Sequence, residues 1–241
     1  MKQSFFITIV YVLAAAVGYT IYVYTYPPYI QAGGIVIIAL TALSIVVLTF
    51  AIERTLFLRK AEGKKNLSTF FKELEQLLAK GDLEQAIEHC RDQSGSFAAV
   101  MQTGLERYAD LQKQKRMDVD RQVIEVQRVI EESSALQVPL LEKNLPALST
   151  IASVATMLGL LGTVTGMIRS FQAMASTGSS DAVQLSLGIS EALVTTAGGL
   201  IVGITSLVAF NYFANKVDTM TFMLDEAVFN IVQMLNVHEE K

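Results

Sequence analysis

The sequence predicts an all-α, multi-pass membrane protein whose long helices extend into a helical cytoplasmic domain. Three observations carry that prediction. Four apolar runs, 5–26, 34–52, 145–168 and 183–215, reach the roughly 20 residues that a helix needs to cross a ~30 Å hydrocarbon core. The mean hydropathy of +0.41 is too high for an ordinary soluble domain. Fifteen of the 19 Lys and Arg lie between Glu53 and Lys143, and short basic loops stay in the cytoplasm. The net charge of −4 comes with no basic patch, so nothing here points to nucleic acid.

Taken in order, residues 1–33 read as an extra N-terminal membrane helix, or an uncleaved signal-like segment, with an outer turn. No small-x-small cleavage site follows the run, which favours a retained helix. Tyr22, Tyr24, Tyr26 and Tyr29 suit an interfacial belt, and Pro27-Pro28 with Gly33-Gly34 make the turn. A second membrane helix covers 34–58, with Arg54, Arg59, Lys60, Lys64 and Lys65 at its inner end. A cytoplasmic helical domain fills 59–144. Its first helix, 67–80, carries Phe70, Phe71, Leu74, Leu77 and Leu78 at helical spacing and stops at Gly81. Asp82 and Gln85 have the spacing of a capping box for the next helix, to about 92. Ser94-Gly95-Ser96 is a loop, and a helix over 97–112 follows. From Met117 to Leu136 a long amphipathic helix leads towards the membrane, with Pro139 and Pro146 placed to kink or break it. The remaining elements are a pore-lining helix 145–172, a periplasmic turn 173–182, a pore-lining helix 183–215 and a cytoplasmic C-terminal helix 216–241. Both termini are then cytoplasmic. The lone Cys90 reads as a reduced structural residue, and His89 beside it has no second ligand pair at a metal-binding spacing. Neither a metal nor a cofactor is expected.

Two stripes of small residues mark the last two apolar runs. Ser149, Ala152, Thr156, Gly159, Thr163, Gly166 and Ser170 follow one another by alternating steps of three and four, which keeps them on one helix face. Gln184, Gly188, Glu191, Thr195, Gly198, Val202, Thr205 and Ala209 repeat the pattern. Helix packing accounts for Gly159, Gly166, Gly188 and Gly198, since small faces let membrane helices approach closely. It does not account for Glu191, because packing needs no carboxylate. Glu191 is the only charge between Ala182 and Asn215. A carboxylate inside a membrane run is expensive and by default a functional site. Thr163 and Glu191 lie equal distances either side of Thr177, so antiparallel helices bring them to one depth. At ~1.5 Å per residue that depth is on the order of 12 Å inside a helix starting near 183. A titratable group there, beside hydroxyls, is placed to take up and release a proton. Arg169, at the outer end of the third run, reads as a charge that snorkels to the interface. The glycines of 158–166 lack the Lys of a phosphate-binding loop, and no nucleophile–base pair falls in the membrane runs, so an enzyme is not expected.

Leu158-Gly-Leu-Leu-Gly-Thr-Val-Thr-Gly-Met167, Phe171, Gly188-Ile-Ser-Glu-Ala-Leu-Val-Thr-Thr-Ala197, Gly199-Leu200 and Asn211-Tyr212 resemble the ExbB/TolQ/MotA proton-channel family, nearest its ExbB/TolQ branch. The resemblance covers about 34–235. It implies a bacterial inner-membrane motor subunit, assembled as a pentameric ring around two helices of an ExbD/TolR-like partner. That motor turns the proton motive force into work on the cell envelope, passed on to a TonB-like or TolA-like protein. The resemblance carries Glu191 over as the membrane carboxylate and Thr163 and Thr196 as polar lining; Thr195 joins them from the face analysis. Thr156 stands where the family often has Pro, and its added hydroxyl leaves a Na⁺-driven relative open. The run 5–26 is extra to the family's usual three membrane helices. A non-conducting membrane scaffold, in which Glu191 only hydrogen-bonds a neighbouring helix, is the alternative from a different class.

Overall fold

The computed structural model describes residues 2–31, 33–114, 119–177 and 182–239. These form helices α1 (Lys2–Tyr24), α2 (Pro28–Gln31), α3 (Gly34–Glu62), α4 (Leu67–Ala79), α5 (Leu83–Gln93), α6 (Ser96–Gln114), α7 (Val119–Glu142), α8 (Leu145–Thr177) and α9 (Ala182–Glu239). The chain divides into two compact units, Met1–Glu53 with Asn144–Tyr212, and Arg54–Lys143 with Phe213–Lys241. Three helical stretches of the described chain are long and apolar enough to cross a membrane, within Gly34–Ala79, Arg121–Ala175 and Val183–Leu235. Of the first apolar run, the described side chains form the apolar stretch Val10–Tyr24 of the 23-residue α1, and those of residues 1–9 lie outside the described ones.

In the apolar unit, α1 lies close against α3. A methyl added at Gly18 would sit 3.2 Å from the Ala42 amide nitrogen, tighter than an ordinary van der Waals contact, so the missing side chain suits this close approach. Gln31 closes the end of α1: its Nε2 donates to the carbonyls of Tyr22 and Tyr26 at 3.1 and 2.8 Å, groups a helix end leaves without partners. Two of the belt tyrosines bond inward, Tyr22 donating to the Gln31 carbonyl at 2.7 Å and Tyr26 sharing a hydrogen bond with Thr41 at 3.3 Å. Tyr24 is exposed, and the Tyr29 side chain lies outside the described ones.

The polar unit is built on amphipathic helices. Leu67, Phe70, Phe71, Leu74 and Leu78 form the buried face of α4. Gly81, at φ 79°, ends that helix as expected, its amide donating to Leu78. The capping-box expectation at Asp82 fails. Asp82 occupies the N-cap position but its side chain makes no capping bond. Asn66, passed over in the sequence, is the side-chain cap, accepting from the Ser68 amide at 3.1 Å. Pro139 neither breaks nor ends α7; the helix continues to Glu142, and the break falls at Asn144, which adopts φ 67°. Pro146 sits in the first turn of α8, where a missing N–H costs nothing. The C-terminal helix expected over 216–241 is not a separate element, because α9 runs unbroken to Glu239.

Two devices hold the polar unit's loops. The buried Gln93 side chain accepts from the Lys65 amide at 3.1 Å and donates to the Glu62 and Lys65 carbonyls at 2.9 and 2.7 Å. This clamps the turn after α3 to the turn after α5. The turns touch so closely that a methyl at Gly63, itself at φ 92°, would lie 2.5 Å from the Ser94 carbonyl oxygen. The second device is Arg54, only 1% exposed, which donates to the Leu140 and Leu141 carbonyls at 3.4 and 3.2 Å and so caps the end of α7. Its guanidinium also lies 4.7 Å from the Phe57 ring centroid. Burial pushes the Cys90 thiol up to about 12, helped by the Glu106 carboxylate, so it stays a neutral core thiol. His89 stacks on Phe70 and stands 3.2 Å from Glu73. Among the described residues no three His, Cys, Asp or Glu side chains are grouped to hold a metal.

Candidate ion-path site

The crossing of α8 and α9 sets the site. Leu148, Ala152, Ala155, Gly159, Gly162, Gly166 and Ser170 form the buried face of α8. A methyl at Gly159 would lie 3.1 Å from the Gly199 Cα, and one at Gly166 would lie 2.7 Å from the Gly188 carbonyl oxygen. At that separation hydroxyls reach across. Ser206 donates to the Leu148 carbonyl at 2.7 Å, and Thr196 reaches the Gly159 carbonyl at 3.5 Å. Gly159, Gly166 and Gly188 therefore stand where the two backbones meet. Gly198 faces α3 instead, with an added methyl 3.3 Å from a Leu40 methyl group. Gly162, Gly199 and Gly203 also line the crossing; the two stripes leave them out, although they obey the same three-and-four spacing.

Glu191 is 8% exposed. Its Oε1 accepts from Arg169 Nη1 at 2.5 Å. Arg169 reaches it across the helix pair from nearly a turn beyond Gly166, whose neighbours on α9 are Gly188 and Ala192. The snorkelling read for Arg169 gives way to this ion pair, because an opposite charge within reach is a better partner in a low-dielectric setting. A Cβ at Gly34, the first residue of α3, would lie 3.9 Å from Glu191 Oε1 and 4.0 Å from Arg169 Nη1. Gly34 has φ 57°, so the chain turns into α3 directly beside the pair. The carboxylate therefore lies level with the entrance of α3, where unbonded amides and the helix dipole favour an anion. Measured along α9 it sits well inside the helix; measured along α3 it sits at the first turn.

The four threonines divide. Thr195 is fully buried behind Glu191, its hydroxyl donating to the Glu191 and Ala192 carbonyls at 2.9 Å each. Its methyl would lie 3.1 Å from a Cβ at Gly33. Thr196 faces α8. Thr163 lies at the level of Ala192–Thr195, within a turn of Glu191, but on the flank of α8, with its hydroxyl donating to the Leu160 carbonyl at 2.6 Å. Thr156 donates to Ala152 at 3.0 Å and stands against Gly203. The site as built pairs a buried carboxylate with a guanidinium across the crossing, with the hydroxyls of Thr195 and Thr196 in the next turn of α9.

These features define a helical membrane protein with an internal acid at the crossing of two membrane-capable helices. The chain belongs to the MotA/TolQ/ExbB proton channel family, which matches residues 92–226. It is 30% identical over 125 residues to the Tol-Pal system protein TolQ of Pseudomonas aeruginosa, covering 52% of this chain and 54% of that protein. It is 27% identical over 187 residues to the TolQ of Haemophilus influenzae, covering 77% and 81%. It is 43% identical over 81 residues to the biopolymer transport protein ExbB of Helicobacter pylori, covering 34% and 56%. The match to the first of these spans about half of that relative's length. Relatives named TolQ and ExbB support the ExbB/TolQ branch.

Proposed function

We propose that this chain is a subunit of an inner-membrane proton-channel motor that turns the proton motive force into mechanical work on the cell envelope. It works through an ExbD/TolR-like single-helix partner, in TonB-type import or Tol-type envelope maintenance. In this reading five copies ring a partner dimer, both termini and the polar unit face the cytoplasm, and no enzymatic step is involved. Glu191 serves the ion, with Thr195, Thr196, Thr163 and Thr156 lining its path. The observation that carries the reading is the buried Glu191 itself, held inside a membrane-capable helix where packing alone needs no acid. Family membership and the relatives' names support it. Glu191→Ala is expected to abolish envelope coupling while the ring still assembles, checked by a coupled-function assay in cells beside native mass spectrometry of the extracted complex. Full coupling in that variant refutes the assignment. One observation favours a second reading, a non-conducting scaffold: the carboxylate already has a partner in Arg169, as a purely structural acid does. Glu191→Gln separates the two, since a scaffold tolerates a neutral hydrogen-bonding group and an ion relay does not.

A further inference from the structure

We propose that Arg169 is the internal counter-ion of Glu191, holding it as a carboxylate in the resting protomer, so that the site accepts a proton only when the pair opens. The proposal rests on reading Glu191 as the acid of the ion path.

Four observations carry it. The contact is short, 2.5 Å, and joins two helices rather than two turns of one. The pair is unequal: the Glu191 side chain is 10% exposed and that of Arg169 is 61% exposed, so Arg169 is the member free to swing away. Gly34 is the third wall, and any side chain there would come within van der Waals reach of both charged groups. Finally, among the described residues of this unit no other cation stands beside the pair. Lys2 is the only other basic residue in this unit, and its side chain lies outside the described ones. The unit's other acids are Glu53, which bonds Asn144 at the opposite end of α3's apolar run, and Asp181, outside the described residues.

The physical consequence follows from the cost of lone charge. An uncompensated carboxylate in a buried site is strongly disfavoured, and an opposite charge beside it offsets much of that. An arginine keeps its proton under all working conditions. Any change of charge at the pair therefore falls on Glu191. When the guanidinium leaves for water or another anion, a proton from water is taken up on Glu191 and the acid becomes neutral. When the guanidinium returns, that proton is expelled to water. Arg169 acts as a positioning residue that times this exchange.

The test reads protonation directly, by infrared spectroscopy of the full chain in lipid vesicles at neutral pH, without partner or gradient. The carboxylic-acid band of Glu191 is defined by subtraction against Glu191→Gln. The band is expected to be absent in the wild-type chain and in Arg169→Lys, which keeps the charge, and to appear in Arg169→Gln. A band already present in the wild type, unchanged by Arg169→Gln, overturns the proposal. Should Arg169→Gln fail to fold, the wild-type subtraction decides alone: a band refutes the counter-ion and its absence supports it. Because no ion flow is measured, this result stands apart from the motor reading, which fails if coupling or proton uptake persists without Glu191 and not on the state of the pair.

Discussion

Single side chains fix this protein where helices alone would slide. Gln93 is buried, yet each polar atom of its amide has a backbone partner in the facing turn. A buried amide so satisfied is stabilising, and its removal leaves the Lys65 amide and two carbonyls without partners. Gln93→Ala is therefore expected to destabilise the polar unit by about 2 kcal/mol, the scale of a few buried hydrogen bonds. Hydrogen exchange checks it: amides of 61–65 and 93–97 should exchange faster while those of α8 stay unchanged, and equal protection throughout contradicts the clamp. Arg169 teaches a complementary lesson. In sequence it is the only Lys or Arg between Lys143 and Lys216, which marks it as unusual. Its partner lies 22 positions away on another helix, a relation that no local spacing encodes.

At the scale of elements, helix existence was legible and helix facing was not. The apolar runs gave α3, α8 and α9 because length and hydropathy alone decide whether a helix can span. The small stripes gave the right pair of helices, and the buried face of α8 keeps Ala152, Gly159, Gly166 and Ser170 of the stripe but leans to one side of it. Ala155 and Gly162 face inward, whereas Thr163 stands on the flank. Steps of three and four fit a helix equally well on adjacent paths, so period cannot choose between them without knowing the neighbour. Polar helices are joined by charge as well as packing. Glu125 on α7 accepts from Arg128 on the same helix and from Arg107 on α6, at 2.9 and 3.0 Å. Arg128 and then Arg107 hold its carboxyl down at about 2. An unfolded glutamate titrates near ~4.3, so the pair's contribution is fully present above that pH and is lost as pH falls towards 2. The thermal midpoint of the wild-type chain should exceed that of Glu125→Gln at pH 6, with the gap closing by about pH 2. A gap that stays constant across this window argues against the ion pair as its source.

For the molecule as a whole, the division into an apolar and a polar unit follows the charge pattern closely. Fifteen of the 19 Lys and Arg fall between Glu53 and Lys143, and the first unit takes Met1–Glu53 with Asn144–Tyr212. What composition could not foresee is how small a polar element the apolar unit needs: one carboxylate, one guanidinium and the threonines along the crossing. The depth of Glu191 along α9 is encoded in its spacing from the helix start, whereas the start of α3 beside the same carboxylate is a tertiary contact that no spacing encodes. The proposed function, which family membership supports, then gives that carboxylate a task that geometry alone does not specify. The account stands or falls on whether protons pass by way of Glu191. The direct measurement is potential-driven proton uptake into vesicles carrying this chain with the proposed ExbD/TolR-like partner. Uptake is expected with the wild-type chain and should fall to the level of empty vesicles with Glu191→Gln. Uptake undiminished by that substitution contradicts the account.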